Sequence, residues 1–227
     1  METSERAYEK IINYVERQIM QGSYKRGDKL PPERELAALL GASRNSVREG
    51  LGILERMGAI SSQQGAGNFI SDNFEKTLIE VMTLMFILEE GTFREISEFR
   101  YALETQALSL AMKNITEEQQ TDIEYYMSML EQTPSEEQKA YYDKKIHYTI
   151  TAASGNRFII DNLQALTEVM DVFIKDMRAK ILSDGSNSEG LMSAHRQMVE
   201  ALREKDESKG LKALKAHFEY IYAYIDG

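Results

Sequence analysis

One aspartate and the chain's three histidines have the residue types and spacing to bind a metal ion. Asp143 and His147 are four residues apart, so they lie on one face of a predicted helix. His195 and His217 recur with apolar residues at helical spacing on two further predicted helices, so both point toward a helical interior. Imidazole and carboxylate groups suit zinc, nickel or a similar divalent ion. The alternative is three separate histidines, each satisfied within the core.

Arg100 is a candidate for binding an anion. It lies close to an apolar stripe on a helix predicted at 92–113, and an arginine in such a place needs a partner. Because a planar carboxylate matches the guanidinium fork, one interpretation is a small carboxylate held jointly by the metal and Arg100. Tyr101, Tyr148 and Asn156 are the candidates for neutral hydrogen bonds to this carboxylate. The alternative is an internal ion pair with Glu104, one turn further along the helix.

Short polar and cationic side chains cluster where another helix is predicted to begin, at residues 43–48. Arg44 and Arg48 are four residues apart on one helix face. Arginine can donate two hydrogen bonds to guanine in the major groove, or bind a phosphate. Arg34 stands at the start of the preceding predicted helix, whose positive end favours a phosphate. The cluster predicts contact with double-stranded DNA, and the alternative is a set of solvated surface arginines.

Three helices and a β-hairpin are predicted to position these cations. Apolar residues recur at helical spacing from residue 8 to 19, Pro32 can begin a second helix, and Ser43 can cap a third. Two short strands then flank a glycine-containing loop at 63–67, which is typical of a wing. We therefore predict a winged helix-turn-helix domain over residues 1–72, followed by a short polar linker.

The rest of the chain, residues 77–227, is predicted to be an all-α antiparallel bundle of six or seven helices, so the fold class is mainly α. Capping boxes are predicted at Thr92 with Glu95 and at Thr116 with Gln119. Further helices are expected at about 135–153, 157–182, 190–204 and 206–225. A helix at 77–90 is apolar on almost every side, so we expect the bundle and either a partner subunit or the first domain to cover it.

Composition limits the classes of protein to which the chain can belong. The net charge is −10, but residues 1–75 carry 10 Lys/Arg and 11 Asp/Glu, whereas the remainder carries 17 and 26. The excess acid thus lies outside the predicted DNA-binding domain. There is no cysteine, which excludes disulfides and thiolate metal ligands. With no signal pattern and no apolar run of about 18 residues, we expect a cytoplasmic protein without membrane contact.

The first domain closely resembles the winged helix-turn-helix of the GntR family of bacterial transcription regulators. The matching words are Gly-Asp-Lys-Leu-Pro at 27–31, Glu-Arg-Glu-Leu-Ala at 33–37, and Ser-Arg followed by Val-Arg-Glu within 43–49. This resemblance implies contacts with operator DNA from Arg34, Ser43, Arg44, Asn45, Ser46, Arg48, Gln64 and Gly65.

The whole chain resembles the FadR subfamily, in which an FCD effector-binding domain follows the winged helix. The words are Glu-Phe-Arg-Tyr-Ala-Leu-Glu at 98–104, Asp-x-x-x-His at 143–147, Gly-Asn at 155–156, and one histidine in each of the last two helices. The resemblance implies a divalent metal held by Asp143 and the three histidines, a small organic acid effector, and a homodimer. It favours a repressor.

Two alternatives to this metal-dependent regulator stay open at the level of sequence. The first is a metal-free bundle that binds a larger acyl ligand, as in the acyl-CoA-responsive members of the subfamily. The second is a helical metalloenzyme fused to a DNA-targeting head. An enzyme would need a base and a positioned nucleophile, and the chain has no His-Glu-x-x-His pattern, nucleophile elbow or phosphate-binding glycine loop. We therefore predict that the chain is not an enzyme.

Overall fold

The computed structural model describes residues 6–72, 74–183 and 188–225, without the side chains of residues 172–183 and 188. The chain divides into two compact units, Met1–Thr77 and Leu78–Gly227. Ten helices and a two-stranded antiparallel sheet make up the described parts of these units. The prediction of a mainly α fold is confirmed, with a small hairpin in the first unit and helices throughout the second.

The first unit contains three helices and the hairpin: α1 (Ala7–Met20), α2 (Glu33–Leu40), α3 (Arg44–Arg56), β1 (Ile60–Gln63) and β2 (Gly67–Ile70). Gly41 ends α2 in the left-handed region, at φ 60°. Such a conformation favours glycine. Ser43 then caps α3, because its Oγ accepts a hydrogen bond from the Ser46 amide at 3.1 Å. These two residues make the sharp turn that directs the first turn of α3 away from α2.

A small hydrophobic core holds the first unit together. Its most buried members are Ile11, Val15, Leu30, Leu36, Val47, Leu51, Leu54, Ile60 and Ile70. They come from all three helices and both strands, so α3 is anchored along one side while its other side stays polar. In the hairpin, Ile60 pairs with Ile70 and Gln63 with Gly67, which places residues 64–66 at its tip.

Gly50 explains how closely α1 approaches α3. A Cβ at this position would lie 2.8 Å from Ile11 Cβ and 2.9 Å from the Tyr8 carbonyl oxygen. A glycine within a helix costs about 1 kcal/mol relative to alanine. In this protein the cost is offset by packing between the two helices, which a side chain at position 50 would prevent. The sequence shows the glycine but not the reason for it.

The second unit contains seven helices: α4 (Glu75–Leu88, which begins in the last residues of the first unit), α5 (Phe93–Asn114), α6 (Glu117–Gln132), α7 (Glu136–Ala153), α8 (Arg157–Ser183), α9 (Ser188–Glu204) and α10 (Glu207–Ile225). Both predicted capping boxes are present, with Thr92 and Thr116 as the N-caps of α5 and α6. Helix α5 packs against α7, α8 and α10, and α9 packs along α10. These four contacts surround the histidines.

Helix α4 is only partly covered. Met82 is buried, and Leu78, Ile79 and Phe86 pack against a cluster contributed by α5 and α8. Five apolar side chains of α4 remain more than half exposed, and they are Val81, Leu84, Met85, Ile87 and Leu88. All of them except Ile87 form one stripe at helical spacing. The expectation that this helix is covered on all sides is therefore not met within the second unit, and its coverage by a partner subunit or by the first unit stays a prediction.

Candidate functional site

Four potential metal ligands come together in the interior of the second unit. Asp143 and His147 lie one turn apart on α7, His195 lies on α9 and His217 on α10. All four side chains are buried, with at most 6% of the residue surface exposed. Each of the three imidazoles offers a ring nitrogen within 4.8 Å of those of the other two. Residues separated by up to 74 positions in the sequence thus meet at one point.

The distances among three of these side chains suit donors to one shared cation. His147 Nε2 lies 3.2 Å from His195 Nε2. Asp143 Oδ1 lies 3.0 Å from His195 Nε2 and 3.8 Å from His147 Nε2. Two imidazole nitrogens and a carboxylate oxygen face one another, and protons alone satisfy such a cluster poorly. Three nitrogens and one oxygen suit zinc or nickel, so the residues present fit a divalent metal.

His217 provides a second sign that a ligand is needed. Its Nδ1 is buried without a hydrogen-bond partner in the structure. Burial lowers the pKa of His217 well below its ordinary value, and the neighbouring imidazoles of His195 and His147 lower that pKa further. The ring is therefore neutral near pH 7, and the neutral imidazole is the form that binds a metal. A buried nitrogen without a hydrogen-bond partner lowers the stability of the fold, and binding a metal would give this nitrogen a partner.

Behind the histidines lies a buried ion pair. Arg100 Nε and Nη2 each lie 2.7 Å from Glu104 Oε1, and Glu104 Oε2 lies 2.8 Å from His147 Nδ1. Burial would raise the pKa of Glu104, but the charge of Arg100 and the contact with His147 outweigh it and hold that pKa well below its ordinary value. The Arg100–Glu104 pair is the alternative that the sequence offered for Arg100. The bond from Glu104 to His147 was not predicted.

Arg100 and Tyr148 line one small cavity next to His147. Its other lining residues are Glu104, Lys144, Thr151, Leu163 and Thr167, and its volume of about 10 Å³ leaves room for about one water molecule. A larger cavity of about 160 Å³ lies beyond His195 and is lined by Leu130, Leu191, Met192 and several charged side chains.

The other two predicted effector residues are placed elsewhere. Tyr101 packs against Phe218, with ring centroids 5.1 Å apart. Asn156 is exposed, and its Oδ1 accepts hydrogen bonds from the amides of Phe158 and Ile159 at the start of α8. Neither residue lines the cavity that Arg100 and Tyr148 share. The capping role of Asn156 is a local explanation for the Gly-Asn word in the sequence.

The predicted DNA-contacting residues lie on the surface of the first unit. Arg34, Ser43, Arg44, Asn45, Arg48, Gln64 and Gly65 are exposed, and Ser46 is half-buried beside its cap. Arg44 and Arg48 project from the first two turns of α3, and Gln64 and Gly65 form the tip of the hairpin. Arg48 is not without a partner, because its Nε lies 2.7 Å from Glu33 Oε2 on α2. The sequence did not predict this pair.

Two known protein families match the chain. "Bacterial regulatory proteins, gntR family" matches residues 7–70, and "FCD domain" matches residues 95–220. The chain is 26% identical to the "Putative L-lactate dehydrogenase operon regulatory protein" of Escherichia coli, over 96% of this chain and 85% of that protein. It is 24% identical to the "HTH-type transcriptional regulator LutR" of Bacillus subtilis, over 92% and 96%.

Among solved structures, "Streptococcus agalactiae GntR" matches with a TM-score of 0.69 and 23% identity, and the match covers 95% of this chain and 99% of that one. This likeness supports the fold of each unit. Among the residues that the structure describes, no helix combines the length and the apolar character that a membrane span requires.

Proposed function

We propose that this chain, which belongs to the gntR family of bacterial regulatory proteins and carries an FCD domain, is a repressor that responds to a small carboxylate through a bound divalent metal. Its class is that of a ligand-responsive, DNA-binding transcription regulator, and its matched domains and relatives are regulators rather than enzymes. The metal, the effector and the direction of regulation are the proposed parts.

The observation that supports the metal is the convergence of Asp143, His147, His195 and His217 in the interior of the FCD domain. These residues would hold zinc or nickel through three nitrogens and one oxygen. When bound, such an ion supplies open coordination positions that accept an anionic oxygen in place of water. The buried, unpartnered Nδ1 of His217 favours this explanation over three satisfied core histidines.

The effector proposal rests on Arg100, whose guanidinium lies beside the same cluster. Its Nη1 contacts Met170 Sδ at 3.8 Å, and a thioether sulfur is only a weak hydrogen-bond acceptor. Tyr148 lines the same cavity as Arg100. A carboxylate in this cavity would lie beside both His147 and the Arg100 guanidinium, because both residues line it. The cavity has room for about one water, so any organic ligand must enlarge it, and a ligand of a few carbons requires less enlargement than a long acyl chain. The name of one relative refers to an L-lactate dehydrogenase operon, which makes lactate a suitable first probe.

Operator binding is assigned to α3, with Arg44 and Arg48 entering the major groove and the hairpin tip following the backbone. We assign dimerisation to the exposed stripe of Val81, Leu84, Met85 and Leu88 on α4. Two heads held by such a dimer could bind the two halves of an operator. Effector binding would change the fraction of dimers in which the two DNA-binding domains are spaced to fit both half-sites. Sedimentation of a monomer at micromolar concentration would contradict the dimer.

Thermal-shift measurements on metal-loaded and metal-free protein test the proposal as a whole. We expect L-lactate, or another small carboxylate in a panel, to raise the melting temperature of the zinc-loaded form and leave the metal-free form unchanged. The same compound should release operator DNA in a binding assay. A carboxylate that stabilises both forms equally would contradict the metal-dependent sensor, and a long-chain acyl ligand acting without metal would support the acyl-responsive alternative.

A further inference from the structure

Glu104 on α5 uses its two carboxylate oxygens for two different functional neighbours. Oε1 accepts hydrogen bonds from Arg100, and Oε2 meets His147 Nδ1 at 2.8 Å. The side chain is 7% exposed, so water contributes little to either contact. We propose that Glu104 is a positioning residue that joins the metal site to the effector arginine and sets the affinity of both. This inference rests on the function proposed above.

The contact with His147 determines which ring nitrogen is available for the metal. A carboxylate oxygen can only accept, so Nδ1 of His147 carries a proton, and in the neutral imidazole, the form that binds a metal, Nε2 then keeps its lone pair. Nε2 is the atom that faces Asp143 and His195. A carboxylate behind a metal-binding imidazole fixes its tautomer and orientation and makes it more basic. Glu104 therefore prepares His147 as a ligand before any metal binds.

The contact with Arg100 determines which edge of the guanidinium meets the effector. Nε and Nη2 are both engaged by Glu104 Oε1, so this edge is occupied. Nη1 faces Met170 Sδ, a contact that a carboxylate oxygen can replace with a stronger one. Because one side chain fixes both groups, its loss should weaken metal binding and carboxylate binding together, whereas a simple structural ion pair would affect stability alone.

The same helix provides a matched control. Arg94 and Glu98 form a second pair with the same four-residue spacing, with Nε of Arg94 2.8 Å from Glu98 Oε1. This pair is exposed, whereas the Arg100–Glu104 pair is buried. Glu98→Gln therefore removes an arginine–glutamate pair from α5 without touching His147, and Glu104→Gln removes one that does.

Two measurements test the role of Glu104. The first is the ¹⁵N-resolved NMR spectrum of the imidazoles in metal-free protein. We expect His147 to carry its proton on Nδ1 in the wild type and in Glu98→Gln, and to lose this preference in Glu104→Gln. The second is zinc affinity by chelator competition. It should fall about 10- to 100-fold in Glu104→Gln, the usual effect of removing such a partner, and stay within about threefold in Glu98→Gln.

A folding defect is a foreseeable complication, because Glu104→Gln leaves Arg100 buried without its counter-charge. The double variant Arg100→Gln with Glu104→Gln removes both charges and should fold, with the same loss of tautomer preference and of zinc affinity. An unchanged tautomer or unchanged zinc affinity in either folded variant overturns the inference. If wild-type protein bound no zinc while the tautomer still depended on Glu104, the proposed metal function would fail but the positioning of His147 would stand.

Discussion

The candidate functional side chains lie on the surface in the first unit and within the hydrophobic core in the second. In the first unit, Arg44 and Arg48 project into solvent from a helix whose other face is buried. In the second, His195 and His217 lie within the core itself, beside apolar residues such as Met198 and Phe218. A surface site can be changed without loss of stability, whereas a site inside a core cannot. Function and stability should therefore be separable in one unit and coupled in the other.

The largest expected effect tests whether metal binding and stability are coupled in the second unit. Zinc at about 1,000 times its dissociation constant should add about 4 kcal/mol to the free energy of unfolding of the second unit, and excess chelator should remove that contribution. Denaturation followed by circular dichroism, with metal content measured in parallel, gives the value.

His195→Ala serves as the control for this experiment. The variant should bind little metal, and chelator should change its stability only slightly. Wild-type stability that does not respond to chelator, together with full metal content in His195→Ala, would place the metal elsewhere or return the histidines to a purely structural role.

In the first unit, where function and stability should be separable, we expect substitutions to weaken DNA binding without changing stability. Replacing Arg44 or Arg48 by alanine should weaken operator affinity by about 1–3 kcal/mol if the side chain contacts a base. The free energy of unfolding should change by no more than about 0.5 kcal/mol, since both residues are exposed. Arg56→Ala, at the other end of α3, is the control and should affect both quantities less. A melting temperature that fell with affinity would break the proposed separation.

N-cap residues in the sequence predicted where helices begin, whereas contacts between residues far apart in the sequence could not be predicted. Ser43 and Thr92 act through hydrogen bonds to amides three residues away, so the sequence contains the whole interaction. Glu104 meets His147 across 43 positions, and that distance depends on how α5 packs against α7. The inward orientation of the histidines could be predicted from periodicity, but their mutual distances could not. Asn156 shows the opposite case, because the contacts that the structure gives it are with amides two and three residues along the chain, and its role as an effector ligand stays a prediction.

Packing between α1 and α3 supplies a third test, in which stability changes without any functional side chain. Gly50→Ala places a methyl group against the Ile11 side chain and the backbone of α1, and should destabilise the first unit by about 1–3 kcal/mol. Gly52→Ala is the matched control on the same helix, because its Cβ would meet nothing within 4 Å. It should be neutral or stabilising by up to about 1 kcal/mol. Urea denaturation of both variants measures the difference, and equal effects would contradict the close approach.

The smallest effect concerns Glu33, which holds Arg48 in the absence of DNA. The two side chains are substantially exposed, at 65% for Arg48 and 35% for Glu33, so breaking their ion pair should cost at most about 1 kcal/mol of stability. The same change removes a competitor for Arg48, so Glu33→Gln should bind operator more tightly. Glu35→Gln is the control, since it removes an equal charge from an exposed position on the same helix.

Operator titrations at several salt concentrations separate the two causes, because a general charge effect appears in both variants and weakens with salt in parallel. A gain in affinity confined to Glu33→Gln would show that even the surface site is partly preorganised by a neighbour. Equal gains would leave Arg48 free to bind DNA without cost and would make the contrast between the two units sharper.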